Sequence, residues 1–178
     1  DNWLYVAENS PAASAGSRLL RINIDQLDPD FLNEQQVIDL GFTPPNGFKG
    51  MAVNNGSYLA LTAPNLASSH SNVIIGNLNA PKGNVYFINL GKINEEGQLA
   101  SAGLFVLDSE KIAQNLPSNI ANIRGRYPEY ISSGIGDGEF ILSNHLDPNN
   151  GVMMLKLGLD EQGQFNNNIT INNPRLGH

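Results

Sequence analysis

Two histidines, His70 and His145, each follow a short strand-like run, in "YLALTAPNLASSH" and "FILSNH". Two imidazoles can share a metal ion, or one can act as a base. Their spacing matches no local metal motif, and an exposed loop histidine is the plain alternative. "DPNNG", Asp147 to Gly151, offers the oxygens of Asp147 and Asn149 and ends in Gly, a faint likeness to a calcium loop. It has neither further acidic ligands nor a closing Glu, and Asp147 fits an Asx-type turn equally. Calcium is therefore the one cofactor the residues raise, and the default expectation is none. In "RGRY", Arg124 and Arg126 flank Gly125 and precede Tyr127. Two guanidinium groups beside an aromatic can clasp a carboxylate or a sugar acid. They can also simply stack on Tyr127 or Tyr130. Asp25, Asp28 and Asp30 in "DQLDPD" could surround a cation or form a solvated loop. No nucleophile elbow, phosphate loop, zinc-protease motif or dinucleotide fingerprint is present. Ser132 and Ser133 have no histidine nearby in sequence.

The elements that must position these residues are short strands. The chain has 178 residues, 40% hydrophobic and only 15% charged, with 18 Gly and 10 Pro. One domain long enough to bury a core, with many turns, fits an all-β fold. A net charge of −7 argues against a nucleic-acid partner, which needs a Lys/Arg face. There is no Cys, so neither a disulfide nor a thiolate site can form. No apolar run approaches the ~18 residues of a membrane span. The chain opens on what reads as strand interior, Trp3 to Ala7, with neither an initiator Met nor a signal peptide before it. A longer parent sequence is the expectation.

Three segments say nearly the same thing: "NWLYVAEN", "NGSYLALTAPN" and "DGEFILSNHLD". Each is followed by "SRLLRINIDQL", "GNVYFINLGKI" or "GVMMLKLGLDEQGQF". Leu19, Val85 and Val152 align, as do Ile22, Ile88 and Leu155. The tails "INEEGQ" and "LDEQGQ" also match. A further strand follows each time: "QQVIDLG", "SAGLFVLD" and "FNNNITI". A leading strand, "GFKGMAVNN" or "PEYISSGIGDG", precedes the second and third copies but not the first. Trp3, Tyr58 and Phe140 are read as corresponding aromatic markers that pack between units. Insertions lengthen the second copy, and the one near 109–117 ("DSEKIAQNL") predicts a short helix with an Asp108 or Ser109 cap.

Four-stranded units of this kind make β-propeller blades. "NVYFINL" and "VMMLKLGL" are apolar at successive positions, as strands buried on both faces should be. A β-sandwich would also have short strands but does not explain the matching segments. The expected blade parts are 2–41, 47–108 and 128–171, about two and two-thirds blades. Closed propellers have roughly four to eight, so the expectation is a fragment. The remaining blades would come from the parent protein or another chain. The tight turns at Asn54-Asn55-Gly56 and Asp137-Gly138 are expected to be structural.

"PPNGFKGMAVNNGSYLALTAPN" followed by "GNVYFINLG" resembles the repeat of YncE-like (YVTN-type) propellers, and "WLYVAEN" resembles its second strand. The resemblance spans most of the chain outside the insertions. It departs at "YISSGIGDGEF", where the family has a more apolar inner strand. It implies a propeller of an exported, periplasmic or cell-surface bacterial protein, acting as a binding or interaction platform for a protein or carbohydrate ligand. Propellers of this kind also include lactonase-like or lyase-type enzymes with an axial metal, and structural modules of large adhesins. The non-enzymatic reading leads. In such a fold the long loops after each second strand share one face with the loops between blades. That face would gather His70, His145, Lys49, Arg124, Arg126, Tyr127 and Asp147.

Overall fold

In the computed structural model the described residues are 2–8, 17–26, 35–41, 47–63, 84–108, 130–143 and 152–172. They form eleven strands: β1 (Trp3–Glu8), β2 (Arg18–Asn23), β3 (Gln35–Ile38), β4 (Gly50–Asn54), β5 (Tyr58–Ala63), β6 (Asn84–Asn89), β7 (Leu104–Asp108), β8 (Tyr130–Ser133), β9 (Glu139–Ser143), β10 (Val152–Leu159) and β11 (Phe165–Asn172). Helical turns among them are three short 310 segments, at 24–26, 90–92 and 101–103. The expected helix near 109–117 lies outside the described residues.

The strands make three antiparallel, blade-like sheets: β1-β2-β3, β4-β5-β6-β7 and β8-β9-β10-β11. Each is a meander of sequential neighbours, and the first has three strands where the others have four. The all-β class and the strand grouping follow the sequence reading. The turn at Asn55-Gly56 takes left-handed backbone at both residues (φ 48° and 67°), closed by the Ser57 N–H donating to the Asn54 carbonyl at 3.0 Å. Asn-Gly is the pair that adopts this geometry at least cost.

The middle sheet is covered on both faces. Tyr58, Ala60, Val85, Phe87, Phe105 and Leu107 pack with Ile131, Phe140, Leu142, Met153, Leu155 and Leu157 of the third sheet. Leu59, Leu61, Ala63, Tyr86 and Ile88 pack the other way, with Leu19 and Ile38 of the first sheet. Every residue of β5 is consequently buried. Two aromatic contacts, Phe87–Phe140 at 5.3 Å and Phe87–Phe105 at 6.1 Å, sit at the centre of the larger core. The second and third sheets stack in matching order, with β4 on β8 and β7 on β11.

β10 behaves differently from the expectation. Met153, Leu155 and Leu157 are buried while Val152, Met154 and Lys156 alternate outward. Among the described residues only the middle sheet has a sheet on each side, and its β5 and β6 are buried at successive positions, as β2 is from Leu19 to Ile22.

The pairings also correct one correspondence. Trp3 pairs with Asn23, Tyr58 with Asn89, and Glu139 with Lys156. Tyr58 faces the sheet that follows it, whereas Phe140 faces the sheet before it. The counterpart of Trp3 and Tyr58 is therefore Glu139. The slip by one arises because Ser57 stands between the turn glycine and the paired Tyr58, while Glu139 follows Gly138 directly.

Phe87→Ala removes a fully buried ring contacting two others, and should lower unfolding free energy by about 3–5 kcal/mol. Val106→Ala, on a partly exposed position of the same sheet, should cost below about 1 kcal/mol. Urea denaturation of both variants checks the contrast.

Candidate functional site

His70, Arg124, Arg126, Tyr127, His145, Asp147 and Asn149 all lie outside the described residues, as do Asp28 and Asp30. Of the residues placed on the same face, Lys49 is described. Its ammonium lies 5.9 Å from the centre of the Tyr130 ring. Among the described residues, no group of three or more His, Cys, Asp or Glu side chains could hold a metal ion. No helix among them is long and apolar enough to cross a membrane.

The polar residues that the described structure does bring together lie at the opposite end, where sheet meets sheet. The "NEEGQ" and "DEQGQ" tails form two turns of one geometry. Asn94 and Asp160 each cap their turn, their Oδ1 accepting from the backbone N–H of Gln98 (2.7 Å) and Gln164 (2.8 Å). The Gly97 and Gly163 N–H groups donate back to the Asn94 and Asp160 carbonyls. Both glycines are left-handed (φ 82° and 72°).

Each turn docks on the sheet before it. The Gly97 carbonyl accepts from the Asp39 N–H at 2.9 Å. Arg21, buried on β2 beneath Trp3, donates to the carbonyls of Asn94 (2.6 Å) and Glu95 (3.2 Å). Gln36 accepts from Arg21 and donates to the Glu95 carbonyl at 2.5 Å. At the second interface the Gly163 carbonyl accepts from the Tyr58 hydroxyl (2.8 Å) and Asn89 Nδ2 (3.2 Å). A methyl group at Gly97 would meet the Val37 carbonyl at 2.8 Å, and one at Gly163 the Tyr58 hydroxyl at 2.8 Å. Glycine is needed for both the backbone conformation and the approach.

Asn54 completes the second interface. Its side chain is fully buried, and its Nδ2 donates to Ser133 Oγ (3.0 Å) and the carbonyls of Gly134 (3.2 Å) and Gly136 (3.1 Å). Its Oδ1 accepts from the Gly138 N–H at 2.8 Å. Beside it Asn55 donates to Asp137. The two hairpin turns expected to be structural thus also clasp each other.

Between these turns opens a cleft of about 530 Å3, lined by Tyr58, Asp137, Lys156, Leu157, Leu159, Asp160, Glu161 and Gly163. Its rim carries three carboxylates against one ammonium, so it favours cationic over anionic groups. Four of its polar side chains already serve the fold. Asp160 caps a turn, Asp137 receives Asn55, Lys156 pairs with Glu139 at 3.1 Å, and Tyr58 donates to Gly163. Burial pushes the Tyr58 phenol above its usual 10.0, and the charges of Asp137 and Asp160 push the same way. A phenol so held is a hydrogen-bond donor across the neutral range, not a base. Glu139 is held below the usual carboxylate range by the Gly136 N–H and then by Lys156.

Sequence reasoning missed Asn54, Arg21 and Gln36 as cross-sheet ligands of backbone. A cation at Arg21 inside "LLRIN" and a doubled Asn before Gly56 were the available signals. No protein-family model, curated protein or solved structure matches the chain.

Asn54→Ala strands the Gly138 N–H and should cost about 1–3 kcal/mol in chemical denaturation. Tyr58→Phe should cost about 0.5–1.5 kcal/mol. In the wild type, the Tyr58 contribution is fully present below the unfolded phenol value near 10.0 and is lost as pH rises through the raised folded value. Stability measured between pH 9 and 12 should fall less steeply in Tyr58→Phe than in wild type.

Proposed function

We propose that the three sheets are blades of a β-propeller of the YncE-like kind, and that the protein is a binding platform of a bacterial exported or surface protein. The observation that carries this reading is the way the sheets stack. Where the second and third sheets meet, β4 adjoins β8 and β7 adjoins β11, and the capped glycine turn of each of these two sheets docks on the sheet before it. Radial stacking of four-stranded sheets requires such a repeated contact. Tyr58, Asp137 and Asp160 in the described cleft are engaged in holding turns, and Lys156 pairs with Glu139, which suits a scaffold more than a reacting centre.

In this reading the ligand meets the loops at the other end of the blades. The Arg124, Arg126 and Tyr127 cluster is the ligand contact we favour there, because paired guanidinium groups beside an aromatic match a carboxylated sugar or an acidic protein segment. His70 and His145 occupy loops of the same kind.

A glycan array that includes uronic and sialic acids tests this directly. Acidic glycans should be retained, and the R124A/R126A double variant should lose at least tenfold in apparent affinity with its circular dichroism unchanged. Equal retention by the variant, or no acidic glycan retained, would remove the arginine pair as a ligand site.

A further inference from the structure

The most exposed large apolar side chain among the described residues is Ile135, at 98%. It stands in the turn between β8 and β9, with Gly134 and Gly136 on either side. A lone exposed apolar residue is ordinary on a protein surface. This one is set apart by how its turn is held and by what lies beside it. The Gly134 N–H donates to the Glu139 carbonyl at 2.7 Å, and the Gly136 N–H to Glu139 Oε2 at 2.9 Å. Asn54 Nδ2, on the neighbouring sheet, donates to the carbonyls of both glycines. A methyl group on either glycine would meet the Glu139 side chain at 2.7 Å. The residues flanking Ile135 are thus fixed from within the turn and from the sheet next to it. An apolar side chain presented on a fixed turn is preorganised to enter a partner, with little ordering cost left to bear.

Two residues along the same turn, Asp137 lines the cleft of about 530 Å3. Its Cα lies within about 7 Å of that of Ile135, the reach of two residues. Leu157 and Leu159 give the cleft an apolar wall. Asp137, Asp160 and Glu161 give it carboxylates, while the Lys156 ammonium is already paired with Glu139. A carboxylate that accepts a hydrogen bond from the fold keeps its remaining lone pairs for a further donor. Glu95 and Glu96 stand exposed on the matching turn of the second sheet. Among the described residues no three such side chains converge on a metal ion, so one small cation does not answer this field. An extended partner with its positive charges spaced apart does. Anionic surfaces are repelled by it.

We infer that this end of the third sheet is a docking surface for a basic segment of a partner protein. The partner lays apolar side chains around Ile135 and extends a Lys or Arg along Leu157 and Leu159 to the carboxylates of Asp137, Asp160 and Glu161. A long cationic side chain suits such a cleft, because its methylene stem packs on apolar wall while its head meets charge. The occupant has the opposite charge from the ligand proposed for Arg124, Arg126 and Tyr127. The inference does not depend on the blade reading, since it uses only the turn, the cleft and their charges.

Fluorescence polarisation with synthetic peptides tests it. The probe set carries Leu, Ile or Phe beside Lys or Arg. One control set replaces the cation by Glu, and another replaces the apolar residue by Ala. Peptides with both features should bind, and binding should weaken as salt is raised. Both control sets should bind at least about tenfold more weakly. Ile135→Ser and Glu161→Lys, both at exposed positions, should each lose about tenfold or more in affinity with circular dichroism unchanged. Should either variant lose its circular dichroism signal, Ile135→Thr and Glu161→Gln carry the same comparison. No binding by the probe set, equal binding of the Glu controls, or wild-type affinity in a folded variant at either position would overturn the inference. So would retention on phosphatidylserine vesicles in place of the peptides, or self-association abolished by Ile135→Ser, since each names a different occupant.

Discussion

A sheet with apolar side chains on both faces cannot stand alone in water, and the middle sheet is such a sheet. Its strands β5 and β6 bury alternate residues in opposite directions, Tyr58 and Phe87 one way, Leu59 and Ile88 the other. Nothing in strand pairing alone satisfies that demand. A second sheet must lie on each side, and the first and third sheets are placed by it. Apolar burial is non-directional, so it brings the sheets together without fixing their register.

Register comes from a few polar contacts at one end of the stack. Backbone carbonyls at the tips of two capped turns point into the preceding sheet, where they meet Arg21 and Gln36 in one case and Tyr58 and Asn89 in the other. Asn54 does the same between hairpin turns, using both ends of its amide. A buried amide or guanidinium tolerates few alternative positions, because any shift leaves it unpaired. The cost of misplacement, rather than the strength of each bond, is what selects one stacking. The glycines at 97 and 163 are part of that selection, since any side chain there would hold the sheets apart.

Much of the scaffold was legible in the sequence. Alternating and continuous apolar runs marked the strands, and Asn55-Gly56 marked a hairpin. Three strand-like segments read between Trp3 and Gly41 match the three strands of the first sheet. What was not legible depends on distant partners. Asn54 meets residues some 80 positions away, and Arg21 meets Asn94, 73 positions away. The pairing of Phe140 was misread by one residue because hairpins of different turn length look alike when aligned on their glycines. β10 read as buried on both faces, yet Val152, Met154 and Lys156 are exposed, because a strand's residue types do not record which of its faces has a partner. The candidate ligand residues lie in the stretches of sequence that interrupt the repeat, outside the described residues, where sequence offers residue types but no geometry. In the reading proposed here, the stacked sheets supply rigidity and those loops supply recognition.

The central claim is that the middle sheet, covered on both sides and clasped at one end, holds the chain together. Native-state hydrogen exchange measures it residue by residue. The amides of Leu59–Leu61 and Val85–Ile88 should exchange only through global unfolding, with the exposed-face strands β1 and β11 opening earlier. If β5 and β6 exchange as fast as β1 and β11, or faster, the middle sheet is not the anchor and the account fails.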